Sequence, residues 1–130
     1  MPKTVAQMLE AAHAEVPKIT TAEAQALIAD GALLLDIRDA PELQMQGRAQ
    51  GSHHIPRGML EFRADPQTQF HDPELRFDRP TILHCASGGR AALAGKLLKD
   101  MGYQQVYNLG GLADWKAGGG AASEPVDPGM

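Results

Sequence analysis

The sequence has one cysteine, Cys85, in 130 residues. It cannot close a disulfide within the chain, and a lone thiol is expected of a protein in a reducing compartment, here read as the cytoplasm. No stretch approaches the roughly 20 apolar residues that a membrane span needs. The N-terminal "MPKTVAQMLEAAHAEV" lacks the long apolar core of a secretory signal. Basic residues are neither in excess nor clustered: the formal net charge is −4, which argues against nucleic acid as a partner. The five histidines, His13, His53, His54, His71 and His84, show no spacing that would join Cys85 in a metal site. Internal repeats are absent. A chain of this size forms one ordinary domain and can bury a core without crosslinks.

Elements alternate along that domain. Val5, Met8, Leu9, Ala12 and Val16 recur at helical spacing, predicting an amphipathic helix that ends at Pro17. Thr20 or Thr21 is placed to cap a second helix, with Ala24, Leu27 and Ile28 inward and Gly31 as its stop. "ALLLDIR" and "TILHC" are short unbroken apolar runs, the pattern of strands buried on both faces. "QVYNL" predicts a third strand. Short helices are expected from Pro41, over "MLEFRA" and over "GLADWKA", and a longer one over "RAALAGKLLKDMG" with Ala91, Leu93 or Ala94, Leu97, Leu98 and Met101 inward. The polar, proline-rich "DPQTQFHDPELRFDRP" reads as a surface connection. The fold class is therefore α/β, with a parallel central sheet and helices on both faces. The domain is set at residues 19–117, after a helical extension over 1–18 and before a flexible Gly- and Pro-rich tail over 118–130.

Ligands of such sheets bind at the carboxyl ends of the strands. Cys85 ends one strand. Asp36 and Arg38 end another, and fall near Cys85 if the two strands are neighbours. "CASGGR" then leads from strand to helix. Gly88 and Gly89 allow successive backbone N–H groups to converge on one point, an anion nest, and the helix beginning near Arg90 adds its positive end. A thiol held there is expected to react as its thiolate, and the same donors would stabilise an anion attached to sulfur. Arg90 is expected to fold over the loop or to pair with Asp36. A lone buried cysteine is ordinarily an inert packing residue; one that needs no anion would not be followed by Ser-Gly-Gly-Arg.

Two chemistries suit a strand, a cysteine loop, an arginine and a helix. Phosphate-monoester hydrolysis uses a signature of Cys, five residues and Arg. Here only Ala86, Ser87, Gly88 and Gly89 separate Cys85 from Arg90. The smaller cradle suits one sulfur atom better than a tetrahedral phosphate.

Three ordered segments resemble the rhodanese-like sulfurtransferases, over roughly Ile19 to Lys116. "LLLDIRDAPEL" is similar to the family's first motif, with Asp36, Arg38 and Glu42 at its polar positions. "HCASGGRAALA" is similar to the active-site loop, and "MGYQQVYNLGGLADW" to the C-terminal signature, with Asn108, Gly110, Gly111 and Trp115. "HHIPRGMLEF" resembles the segment that follows the first motif in single-domain bacterial members. The resemblance implies that Cys85 takes a sulfane sulfur from thiosulfate or a persulfide donor. The Cys85 persulfide then passes it to cyanide or to a thiol, including a protein thiol. It implies backbone N–H groups of Ala86 to Arg90 as the persulfide cradle, Asp36 and Arg38 as loop support, and neither metal nor organic cofactor. Alternatives from other classes are a sulfur-carrying regulatory module with little turnover, and a cysteine-dependent phosphatase or arsenate-reductase-like enzyme.

Two positions depart from the family pattern. Gly47-Arg48-Ala49 stands where Gly-His-Ile is common, predicting an altered turn. Glu42 stands where two-domain thiosulfate enzymes carry an arginine, and is expected to repel an anionic donor. His84 precedes the nucleophile and should point to the opposite sheet face, packed and bonded to backbone. Ser87 lacks an Asp–His pair to make it a nucleophile. Arg57 and Arg63 read as solvated, Trp115 and Tyr107 as core and rim.

Overall fold

The computed structural model describes residues 2–123. The chain runs α1 (Val5–Glu15), α2 (Thr21–Ala29), β1 (Leu33–Asp36), α3 (Ala40–Gln46), β2 (Arg48–Ala49) and β3 (His53–His54). A 3₁₀ turn (Arg57–Met59), α4 (Leu60–Ala64), β4 (Thr81–Cys85), α5 (Gly89–Met101), β5 (Val106–Gly111), α6 (Leu112–Ala117) and β6 (Ala122–Ser123) follow. The central sheet has the order β3-β1-β4-β5, and every pairing in it is parallel.

The apolar runs explain the sheet. All residues of β1 and β4 are buried. Alternate side chains enter two cores, as the pleat requires. Leu33, Leu35, Ile37, Leu83 and Cys85 join Ala91, Ala94 and Leu98 of α5 on one face. Leu34 and Ile82 join Ala24 of α2 with Leu112 and Trp115 of α6 on the other. Helices therefore cover both faces. Thr20 caps α2, its hydroxyl accepting from the Glu23 N–H while the Glu23 carboxylate accepts from the Thr20 N–H, a reciprocal capping box.

The inner face of α1 is shorter than its periodicity predicts. Ala12 and Val16 are buried and Leu9 is half-buried, but Val5 is 60 % and Met8 39 % exposed. Only the C-terminal half packs tightly, against α5. A Cβ on Gly95 of α5 would lie 2.9 Å from Val16 Cγ1, so the missing side chain sets how closely the two segments approach. Toward its N-terminus α1 leaves a groove of about 660 Å³ lined by Met8, Ala11, Leu93 and Leu97. Ala94 is the buried residue of the Leu93/Ala94 alternative.

The segment after α6 departs from expectation. Residues 118–123 are not a free tail: Ala122 and Ser123 pair antiparallel with Ala49 and Arg48, and Trp115 Nε1 donates to the Ala121 carbonyl at 2.7 Å. Composition pointed to disorder, but a buried indole needs a partner for its N–H, and Ala121 supplies one. The remaining predicted tail, 124–130, lies outside the described residues. The same pairing accounts for the Gly47-Arg48-Ala49 turn, where Gly47 has φ 78° and β2 turns away to meet β6. The proline-rich connection is surface chain with one anchor, buried Leu75. Among the described residues no helix is long and apolar enough to cross a membrane.

Candidate active site

Cys85 is the last residue of β4 and is 1 % exposed. Its Sγ accepts from the Gly88 N–H at 3.0 Å, the one loop N–H that reaches it among the described residues. The chain can fold back this sharply because Gly88 has φ 103°, a conformation that costs glycine little and other residues much. Gly88 is also the N-cap of α5. The sulfur therefore lies at the positive end of a 13-residue helix, where unpaired N–H groups favour negative charge. Ala86 and Ser87 form the exposed crest of the loop, Gly88 is buried, and Gly89 and Arg90 are half-buried.

The last residues of β5 hold this loop from below. Asn108 Nδ2 donates to the Gly88 carbonyl at 3.1 Å, and Asn108 Oδ1 accepts from the Gly110 N–H at 2.8 Å. Gly111 pairs in register with Cys85, and a Cβ there would fall 2.0 Å from the Ala86 carbonyl oxygen. The "NLGG" stretch is thus the floor of the loop: one amide ties it and one absent side chain makes room for it.

Asp36 and Arg38 lie beside this centre without touching the loop. Both are wholly buried and paired to each other. Arg38 Nη2 donates to Asp36 Oδ2 at 2.8 Å and to the Gly47 carbonyl at 2.9 Å, and Arg38 Nε donates to Asp36 Oδ1 at 3.1 Å. Burial pushes the Asp36 carboxyl up, but the hydrogen bonds and positive charge around it, chiefly from Arg38, together hold the group below its usual range. The pair braces the end of β1 against the turn after α3. The expected Asp36–Arg90 pair does not form, because Asp36 is already saturated on the other face of the sheet.

Arg90 turns instead to Glu42. Its Nη1 and Nη2 donate to Oε2 and Oε1 of Glu42, each at 2.8 Å. This bidentate bond holds the Glu42 carboxyl at about 2 and raises Arg90 further above its already high value. Nothing local could reveal it, since 48 residues separate the partners. Glu42 is therefore a carboxylate already neutralised by the loop's arginine.

His84 points to the face opposite Cys85, as alternation predicts. It is not bonded to backbone: both ring nitrogens are buried without a hydrogen-bond partner. Nε2 lies 3.7 Å from Asp36 Oδ2, too far for a hydrogen bond. Burial lowers the pKa of the ring and keeps it neutral. No group of three or more His, Cys, Asp or Glu residues is placed to hold a metal among the described residues.

A family model for the rhodanese-like domain matches residues 20–118. The chain belongs to the rhodanese-like domain family. It is 32 % identical over 106 residues to the thiosulfate sulfurtransferase GlpE of Ectopseudomonas mendocina, covering 79 % of this chain and 87 % of that one. A Rhodopseudomonas palustris protein of unknown function, described as a possible tyrosine phosphatase, superposes with a TM-score of 0.82 at 37 % identity, over 95 % of this chain and 99 % of that one. The polysulfide-sulfur transferase homodimer of Wolinella succinogenes superposes with a TM-score of 0.68 at 29 % identity, over 88 % and 83 % of the two chains. The rhodanese-like domain of this chain thus has sulfurtransferases among its relatives.

Proposed function

We propose that this chain is a sulfurtransferase that carries sulfane sulfur as a persulfide of Cys85. The observation that supports it most is the position of Sγ, at the N-terminus of α5 and 3.0 Å from the Gly88 N–H. A thiolate is the attacking species, and a neighbouring N–H dipole is what a sulfur-borne anion needs. In the first step the Cys85 thiolate attacks the outer sulfur of thiosulfate or of a persulfide. A new S–S bond forms, the donor's S–S bond breaks, and sulfite or a thiolate leaves with the electron pair. In the second step cyanide or an acceptor thiolate attacks the outer sulfur, and the Cys85 thiolate leaves. Neither step needs a metal or an organic cofactor. Ala86 to Arg90 form the cradle. Asp36 and Arg38 are positioning residues, acting on the end of β1. The lone thiol suits a reducing compartment, so we place this chemistry in the cytoplasm.

The description of the Rhodopseudomonas protein brings a second reading, hydrolysis through a cysteinyl phosphate. Two observations weigh against it. The loop has four residues between Cys85 and Arg90, and both Arg90 amino groups already face Glu42, leaving no free fork for a phosphoryl group. A carrier with little turnover would differ from an enzyme in passing sulfur quickly to a protein thiol and slowly to cyanide.

The test is thiocyanate release from cyanide with each donor class, by the native chain and by Cys85→Ala. Release by the native chain alone supports the reading. Equal release by Cys85→Ala would overturn it.

A further inference from the structure

The Cys85 loop carries a single cationic side chain, Arg90, and that cation is not free. Glu42 sits in the first turn of α3 and meets Arg90 in the first turn of α5 through two bonds of 2.8 Å. The carboxylate is set in place before it meets the arginine, because Glu42 Oε2 also accepts from the Asp39 N–H at 2.9 Å. The two side chains remain 26 % and 37 % exposed, so the pair lies at the solvent edge of the loop. The carboxyl of Glu42 is held at about 2, so the pair stays ionised throughout the neutral range.

This arrangement has a consequence for the donor and rests on the sulfurtransferase reading. A dianion such as thiosulfate gains most from a free guanidinium and loses most beside a carboxylate. A sulfane sulfur attached to carbon carries one negative charge at most and needs no such cation. We infer that the Glu42–Arg90 pair makes the site discriminate against dianionic sulfur donors and select a low-charge organic persulfide. The step balances without an oxidant: the Cys85 thiolate attacks the outer sulfur of RSSH, the Cys85–sulfur bond forms, the RS–S bond breaks, and RS⁻ leaves with the electron pair while the proton stays on the transferred sulfur. Glu42 is here a specificity residue acting through Arg90.

The experiment compares kcat/KM for loading Cys85 from thiosulfate with that from 2-hydroxyethyl persulfide, in the native chain, Glu42→Gln and Glu42→Asp. The native chain should favour the persulfide. Glu42→Gln should release Arg90 and shift the ratio about tenfold toward thiosulfate, mainly through KM, and added salt should shrink the shift. Glu42→Asp, which keeps the charge, should discriminate as the native chain does. Equal use of both donors by the native chain, or an unchanged ratio in Glu42→Gln with both donors slowed alike, would overturn the inference and leave the sulfurtransferase reading standing. Loading from neither donor would overturn that reading as well.

Discussion

The side-chain amide of Asn108, on β5, donates to the carbonyl of Gly88, 3.1 Å away, while the N–H of Gly88 points at the sulfur of Cys85. The two peptide units that flank Gly88 are thus divided in task, one held from below by the sheet and the other presented to the sulfur above. Replacing Asn108 with Ala leaves the Gly110 N–H without a partner and the Gly88 carbonyl with only the Ala92 N–H, 2.9 Å away, which should cost about 2 kcal/mol. Loosening the donor should slow Cys85 loading by about tenfold. Denaturant titration and single-turnover loading check the two effects, and a variant that loads at the native rate would show that the grip is unnecessary.

The contact of Gly111 with the loop makes a sharper steric prediction. A methyl group there would fall 2.0 Å from the Ala86 carbonyl oxygen, and backbone rather than a flexible side chain must yield. Gly111→Ala should cost about 1–3 kcal/mol by overpacking and should displace the loop. Gly58→Ala meets nothing within 4 Å and serves as the control, expected within about 0.5 kcal/mol of the native chain. Thermal unfolding of the two variants side by side measures the difference.

Arg38 and Asp36 form a wholly buried ion pair. Arg38→Met should destabilise the domain by about 3–5 kcal/mol, because the Asp36 charge is left buried and unpaired. Adding Asp36→Leu should recover much of that loss. The single variant should also gain stability relative to the native chain as pH falls, since protonation then relieves the stranded carboxylate. A chemical denaturation series over pH tests all three.

Acid should weaken the Arg90–Glu42 pair in a defined window. The Glu42 carboxyl lies at about 2 in the folded chain against 4.5 ordinarily. A lowered folded value contributes stability that is present above the unfolded value and is lost as pH falls from about 4.5 toward 2. The pair is partly exposed, so solvent screening limits its worth to about 1 kcal/mol. Glu42→Gln should therefore flatten the acid limb of the stability profile by that amount and leave stability above pH 6 lower by the same amount.

Much of the fold was legible because its signals are local. "LLLDIR" and "TILHC" carry their own burial, Thr20 and Glu23 their own cap, and the glycines of "CASGGR" their own turn. The candidate site was legible where it too is local: Cys85, Gly88 and the start of α5 lie within five residues. What stayed hidden depends on partners far apart in the chain. Arg90 could have met any of the three carboxylates of the first motif, Asp36, Asp39 or Glu42, and only the fold shows that Asp36 is spent on Arg38 and that Glu42 faces the loop. The pairing of β6 with β2 was masked for the same reason, since two residues of strand in a Gly-rich segment leave no periodicity to read. Val5 and Met8 continue a helical stripe but stay exposed, Met8 beside the groove that α1 leaves against Leu93 and Leu97 of α5.

Intact-protein mass spectrometry reads sulfur loading on Cys85 without an intermediary. The native chain and Cys85→Ala are each incubated with thiosulfate and with 2-hydroxyethyl persulfide, then treated with cyanide. The native chain should gain one sulfur atom with at least the persulfide donor, Cys85→Ala should gain none, and the added sulfur should leave as thiocyanate. A native chain that gains no sulfur from either donor, or a Cys85→Ala chain that gains it equally, would rule out Cys85 as the sulfur carrier.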